Sequence, residues 1–202
     1  GGYSVAWYGA ATLSVIAALV AVGIRDLRKG ALDTAGRMRL IHWKAVPAAL
    51  GFFASVVAMG ALFAFGSLQA NAVGLMPVST PLFVYGVVVV AGRLLLARVL
   101  DRFRPLPLGS VALVIIAGGL MIMALWTTPL GMVLGAAVFA LGITLSTPAF
   151  FSAIFATARP NERGAASGTA SVFLDLAMGG GPILLGFAAQ ASGIPFAFGV
   201  AA

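Results

Sequence analysis

No charged residue stands between Lys44 and Arg93, and none between Arg104 and Arg159. Few folds are open to apolar stretches of that length. A soluble domain needs a polar skin, and roughly a quarter of its residues are charged. Here 8% are charged and 61% are hydrophobic. That excludes a soluble globular domain, and the same hydrophobicity excludes disorder. In hydrocarbon every backbone N–H and C=O must find a partner within the protein, which leaves helices or a closed barrel. The apolar runs are unbroken rather than alternating, so helices are expected. The expected class is an all-α polytopic membrane protein.

A helix crossing about 30 Å of hydrocarbon takes roughly 20 residues. Residues 1–24 allow one span, ending at Ile24. Residues 45–92 allow two, joined by a breaker-rich hairpin from Asn71 to Pro81. Residues 105–158 allow two more, with the turn at Thr127-Thr128-Pro129-Leu130-Gly131. The remainder fits one span to near Ala189, then a turn at Ser192-Gly193-Ile194-Pro195. A seventh span starts near Phe196. At about 1.5 Å per residue it is too short to cross by Ala202 and is expected to continue beyond it.

The basic residues sort by connection. All 12 Lys and Arg lie between spans one and two (Arg25, Arg28, Lys29, Arg37, Arg39, Lys44), around the end of span three (Arg93, Arg98, Arg102, Arg104), or between spans five and six (Arg159, Arg163). The positive-inside rule places these loops in the cytoplasm and residue 1 outside. Trp7 and Trp126 then fall at outer ends and Trp43 at an inner end, as an interfacial aromatic belt requires. The net charge of +7 does not indicate nucleic acid, because the cations form short separated clusters. The excess of Arg over Lys suits a GC-rich bacterial genome, and hence a bacterial inner membrane. Residues 1–24 lack the basic n-region of a signal peptide.

The opening Gly2-Tyr3-Ser4-Val5-Ala6-Trp7-Tyr8-Gly9-Ala10-Ala11 aligns without gaps on the closing Gly193-Ile194-Pro195-Phe196-Ala197-Phe198-Gly199-Val200-Ala201-Ala202. Span one then mates with span seven, and the repeat holds six spans. Parallel six-span halves are the architecture of major facilitator transporters. Other residues carry the same resemblance. The stretch from Leu82-Phe83-Val84-Tyr85-Gly86 through Gly92-Arg93-Leu94 to Leu100-Asp101-Arg102-Phe103-Arg104 resembles the eighth helix of that superfamily and the loop after it. Asp101-Arg102 matches the central pair of the signature G-x-L-A-D-R-x-G-R-R. The sequence departs from it at Ala97, where the family has Gly, and at Arg104-Pro105, where it has Gly-Arg. Arg159-Pro160-Asn161-Glu162-Arg163-Gly164 resembles the loop between helices ten and eleven. Phe173-Leu174-Asp175-Leu176 followed by Gly179-Gly180-Gly181-Pro182 resembles helix eleven of drug and sugar efflux members.

The resemblance implies that residues 1–24 are the last helix of an N-terminal half and residues 25–44 the cytoplasmic linker between halves. Residues 45–202 are then a C-terminal six-helix bundle with its last helix incomplete. It also implies a small-molecule substrate, alternating access, and a missing N-terminal half of the same protein as partner. The expected chemistry follows from one acid: Asp175 is the sole acidic residue within a span. An Asp near the bilayer midplane costs roughly 2.5–3.5 kcal/mol on insertion scales. One reading makes it the protonatable group of proton-coupled efflux. The other makes it structural, bonded to a hydroxyl such as Ser171, Thr144 or Ser152. Without a role for it, the protein is an ion-independent facilitator, or a scaffold or receptor that transports nothing.

Gln69, Asn71, Tyr85 and Thr144 are candidates to line the cavity. For Gln69 and Asn71 the alternative is hairpin capping, and for the Thr144-Leu145-Ser146-Thr147-Pro148 run it is satisfaction of carbonyls freed by the proline. Arg93, Asp101, Arg102, Arg159, Glu162 and Arg163 form a candidate cytoplasmic gate, closed by pairs such as Asp101 with Arg159 or Arg163. The alternative is charge that only sets topology. The Gly179–Pro182 run is expected to pack and hinge a helix. His42, in the basic linker, is expected to be solvated, and residues 25–44 to lie on anionic lipid or serve as a plain linker. An intramembrane enzyme would need a nucleophile with its base, or metal ligands, within the spans. No Cys and a lone His argue against one, and no metal or cofactor is expected.

Overall fold

The computed structural model describes residues 2–22, 41–100 and 103–202. Within these residues the secondary structure is helical, without strands. Seven α-helices follow in order: α1 (Gly2–Val22), α2 (Val46–Ala72), α3 (Thr80–Leu100), α4 (Pro105–Leu125), α5 (Pro129–Ala156), α6 (Arg163–Ser192) and α7 (Ile194–Ala201). The chain divides into two units, residues 1–36 and 37–202. The first contains α1, an apolar helix whose Thr12 hydroxyl donates to the Tyr8 carbonyl at 2.8 Å.

The second unit is an up-and-down bundle. A 3-10 turn (Trp43–Ala45) leads into α2, α4 and α6 run alongside α2, and α3 and α5 run the other way. Side-chain contacts fix these directions. Phe52 meets Phe151 edge-on at 5.0 Å while Gly66 lies against Met132, so α2 and α5 are antiparallel. Phe53 meets Phe173 at 6.3 Å while Val57 lies against Gly181, so α2 and α6 are parallel. The charged Lys44, Arg104, Arg159 and Arg163 accordingly gather at one end, called here the basic end. Four segments, Trp43–Ala72, Pro105–Leu125, Pro129–Ala156 and Arg163–Ser192, are long and apolar enough to cross a membrane.

Helix boundaries follow local chemistry. Proline sits in the first turn of α2, α4, α5 and α7, where its missing N–H has no helical partner to lose. The Thr128 hydroxyl accepts from the Gly131 N–H and caps α5. Gly193, at φ +89°, stops α6, and α7 starts at the next residue. The helices therefore run closer together than the sequence reading has it: α6 reaches Ser192, and Ile194-Pro195 opens α7 instead of extending the turn.

Lipid tails are as apolar as leucine, so helix association in a membrane rests on close packing more than on hydrophobicity. The α4–α5 hairpin is the tightest pair. A Cβ on Gly119 would fall 2.7 Å from the Phe139 Cα and 2.8 Å from the Gly135 carbonyl oxygen. Around this hairpin lie two cores. One, away from the basic end, joins Leu62, Leu120, Met132, Phe139, Leu185 and Phe198. The other, at the basic end, joins Ala49, Phe52, Phe150, Ile154 and Ala170.

Candidate functional site

Asp175 is on α6, about 18 Å along the axis from Arg163 and close to the helix midpoint. The buried face of α6, with Ala170, Ala177 and Gly181, turns toward α2. Asp175 lies on another face, exposed beside the exposed Val172, Leu176 and Met178. It makes no hydrogen bond or ion pair among the described residues. The hydroxyls named as its structural partners are engaged elsewhere or exposed. Thr144 is fully buried and donates to Ala140 O at 2.8 Å, while Ser152 and Ser171 are exposed.

Tyr85 faces inward from α3. Its hydroxyl donates to the Met59 Sδ of α2 at 3.3 Å, and its ring meets Phe63 edge-on at 5.3 Å and Phe139 at 6.0 Å. A thioether is a weak acceptor, so this hydroxyl remains a donor available to a stronger one. Phe63 keeps 45% of its surface exposed. Gln69, one turn before the end of α2, is 4% exposed, and among the described residues no hydrogen bond engages its side chain. Asn71 is exposed, and its carbonyl accepts from the Gly74 N–H in the turn that follows.

Thr144 is placed differently from its neighbours on the sequence-derived set. A Cβ on Gly92 would come 2.8 Å from the Thr144 Cγ2, so this residue forms the α3–α5 contact. Nor do the hydroxyls of its run reach the carbonyl that Pro148 leaves without a donor, that of Thr144 itself. Thr144 bonds to Ala140 O, and Ser146 and Thr147 both bond to Ile143 O. Of the glycine run, Gly181 and Pro182 pack on α2. Pro182 lies 3.4 Å from the Cβ position of Gly60, and Gly179 and Gly180 have open space beside them.

Arg159 and Arg163 are exposed at the basic end, and Arg93 is exposed about two turns before the end of α3. Glu162 folds back on its own turn: its Oε2 accepts from the Arg159 N–H at 3.2 Å, and its N–H donates to Arg159 O at 2.9 Å. Asp101 and Arg102 lie outside the described residues, as does most of the 25–44 segment. Among the described residues Arg93, Arg159 and Arg163 form no ion pair.

His42 corrects the sequence reading. It is 9% exposed, not solvated. Its ring reaches the Thr157 carbonyl at the end of α5 (Nε2 to O, 3.2 Å), and its backbone N–H donates to the Thr169 Oγ1 of α6 at 2.9 Å. These two partners withdraw it from water. Its position next to a proline-marked helix start is the only trace of this in the sequence.

Apolar helices long enough to cross a bilayer, with Lys44, Arg104, Arg159 and Arg163 at one end of the bundle, define a polytopic membrane protein. The chain belongs to the Major Facilitator Superfamily, whose family model matches residues 1–182. It is similar to uncharacterized MFS-type transporters of Burkholderia mallei (strain SAVP1) and Burkholderia pseudomallei (strain K96243). With each it is 30% identical over 155 residues, covering 77% of this chain. The chain spans 38% of the length of these relatives. No solved structure matches it.

Proposed function

We propose that this chain forms the C-terminal half, with one preceding helix, of a secondary transporter that moves a small molecule by alternating access. In this reading the transporter exports its substrate across a bacterial inner membrane in exchange for protons. The basic end is cytoplasmic, and a second half of the same protein completes the cavity. Asp175 exchanges the proton, and Tyr85, Gln69 and Asn71 offer hydrogen bonds to the substrate. Arg93, Asp101, Arg102, Arg159, Glu162 and Arg163 bias the cytoplasmic gate.

One observation carries the proton role: the carboxylate of Asp175 is exposed at mid-helix with no partner among the described residues. A group meant only to brace the bundle would be bonded, because an unpaired charge at membrane depth is costly. The test uses full-length protein in everted vesicles, with ethidium and a radiolabelled monosaccharide as probes. Wild type should release protons when a transported probe is added, and Asp175→Asn should abolish both signals at normal expression. Undiminished transport by Asp175→Asn removes the proton role.

A further inference from the structure

The structure assigns a task to His42: it is a positioning residue that pins the segment entering α2 to the ends of α5 and α6, so that the three helix ends hold together as one unit. The pin has two prongs on two different helices. The ring reaches the Thr157 carbonyl, 115 residues away, and the backbone N–H reaches the Thr169 hydroxyl, 127 residues away. A carbonyl oxygen only accepts, so Nε2 must carry the proton. That carbonyl belongs to the residue that ends α5, where helix geometry leaves C=O groups without an intrahelical donor. Thr169 is doubly committed: its hydroxyl accepts from His42 and donates to Ala165 O at 2.8 Å.

The surroundings show that His42 is inserted rather than merely covered. Ile41, Trp43 and Lys44, its neighbours in sequence, are exposed, Trp43 at 71%. The chain dips into the bundle at this residue and again at the fully buried Ala45. The far side of the contact needs a tie. Pro148 removes a backbone hydrogen bond from α5 before its last two turns, which weakens the continuity of the stretch that ends at Thr157. A pull on the chain before Ile41 is thus passed to α5 and α6 and not to α2 alone.

The experiment uses the full-length protein in detergent with a Cys introduced at Ala158, a half-buried residue next to Thr157. This chain has no Cys of its own, so within it the label reports that position alone. Maleimide labelling of the peptide is followed by mass spectrometry in wild type, His42→Leu and His42→Gln. The Gln amide nitrogen reaches about as far as Nε2 and donates likewise. His42→Leu should label about fivefold faster, the factor that one net hydrogen bond represents, and His42→Gln should stay within about twofold of wild type. An unchanged rate in His42→Leu, or a rate in His42→Gln equal to that of His42→Leu, overturns the proposal. If His42→Leu does not fold, Thr169→Val and Thr169→Ser put the same question to the second prong. Faster labelling in Val than in Ser supports the pin, and equal rates overturn it.

Discussion

The ring of Phe150 on α5 lies against the backbone of Gly109 on α4: a Cβ on that glycine would sit 2.7 Å from Cε1. The same edge of the ring also meets Gly51 of α2, where a Cβ would lie 2.6 Å from Cζ. Three helices therefore share one aromatic wedge at the basic end. Gly51→Val and Gly109→Val should each lower stability by about 1–3 kcal/mol through overpacking. Adding Phe150→Leu should recover part of the loss, because a smaller side chain leaves room. Thermal unfolding in detergent, run as a double-mutant cycle, measures the coupling, and strict additivity would show that the ring is not the obstacle.

A different outcome is expected at the α4–α5 contact. There the neighbours of Gly119 are the Phe139 Cα and the Gly135 carbonyl, which are backbone and cannot turn aside. Gly119→Ala should cost at least as much as Gly109→Val, at the upper end of the roughly 1–3 kcal/mol range or beyond it. Truncating Phe139 should not restore it. Rescue by Phe139→Ala in the same unfolding assay would contradict the backbone contact.

Asp175 yields a prediction about stability that is separate from transport. It has no bonding partner among the described residues, so replacing it leaves nothing unsatisfied. Asp175→Asn should be no less stable than wild type, because it removes an unpaired charge that is costly at membrane depth. A loss of 2 kcal/mol or more, on the order expected for a buried polar group deprived of its partner, would make this carboxylate a brace.

Tyr85→Phe removes one hydroxyl and keeps the ring against Phe63 and Phe139. Its present partner is only a thioether, so stability should fall by less than about 1 kcal/mol. If the hydroxyl serves a substrate, KM for a transported probe should rise several-fold while maximal rate is largely kept, the pattern of lost uniform binding. Unchanged KM would leave Tyr85 with its packing role alone.

Much of this architecture can be read from the residues, and the reasons differ by level. Span number follows from the cost of placing charge in oil, a large and local effect that Lys44, Arg93, Arg104 and Arg159 report directly. Helix starts are marked by Pro47, Pro105, Pro129 and Pro195. Which face a residue presents is another matter. The helices of the bundle are apolar nearly all round, so periodicity says little, and nothing in the pattern distinguishes Thr144, buried at a helix crossing, from Ser152, exposed on the same helix. The burial of His42 is hidden from the sequence for a related reason: its partners, Thr157 and Thr169, are more than a hundred residues away and carry no charge that would announce a pairing.

The contact between Gly119 and Gly135 bears on how such a bundle can move. Where two peptide backbones touch, no side chain stands between them to swing aside, so a shift of either helix gives up the contact itself. The α4–α5 hairpin is thus the part of the bundle best suited to travel through a rearrangement as a plank. Freedom is left to the borders where rings and methyl groups meet.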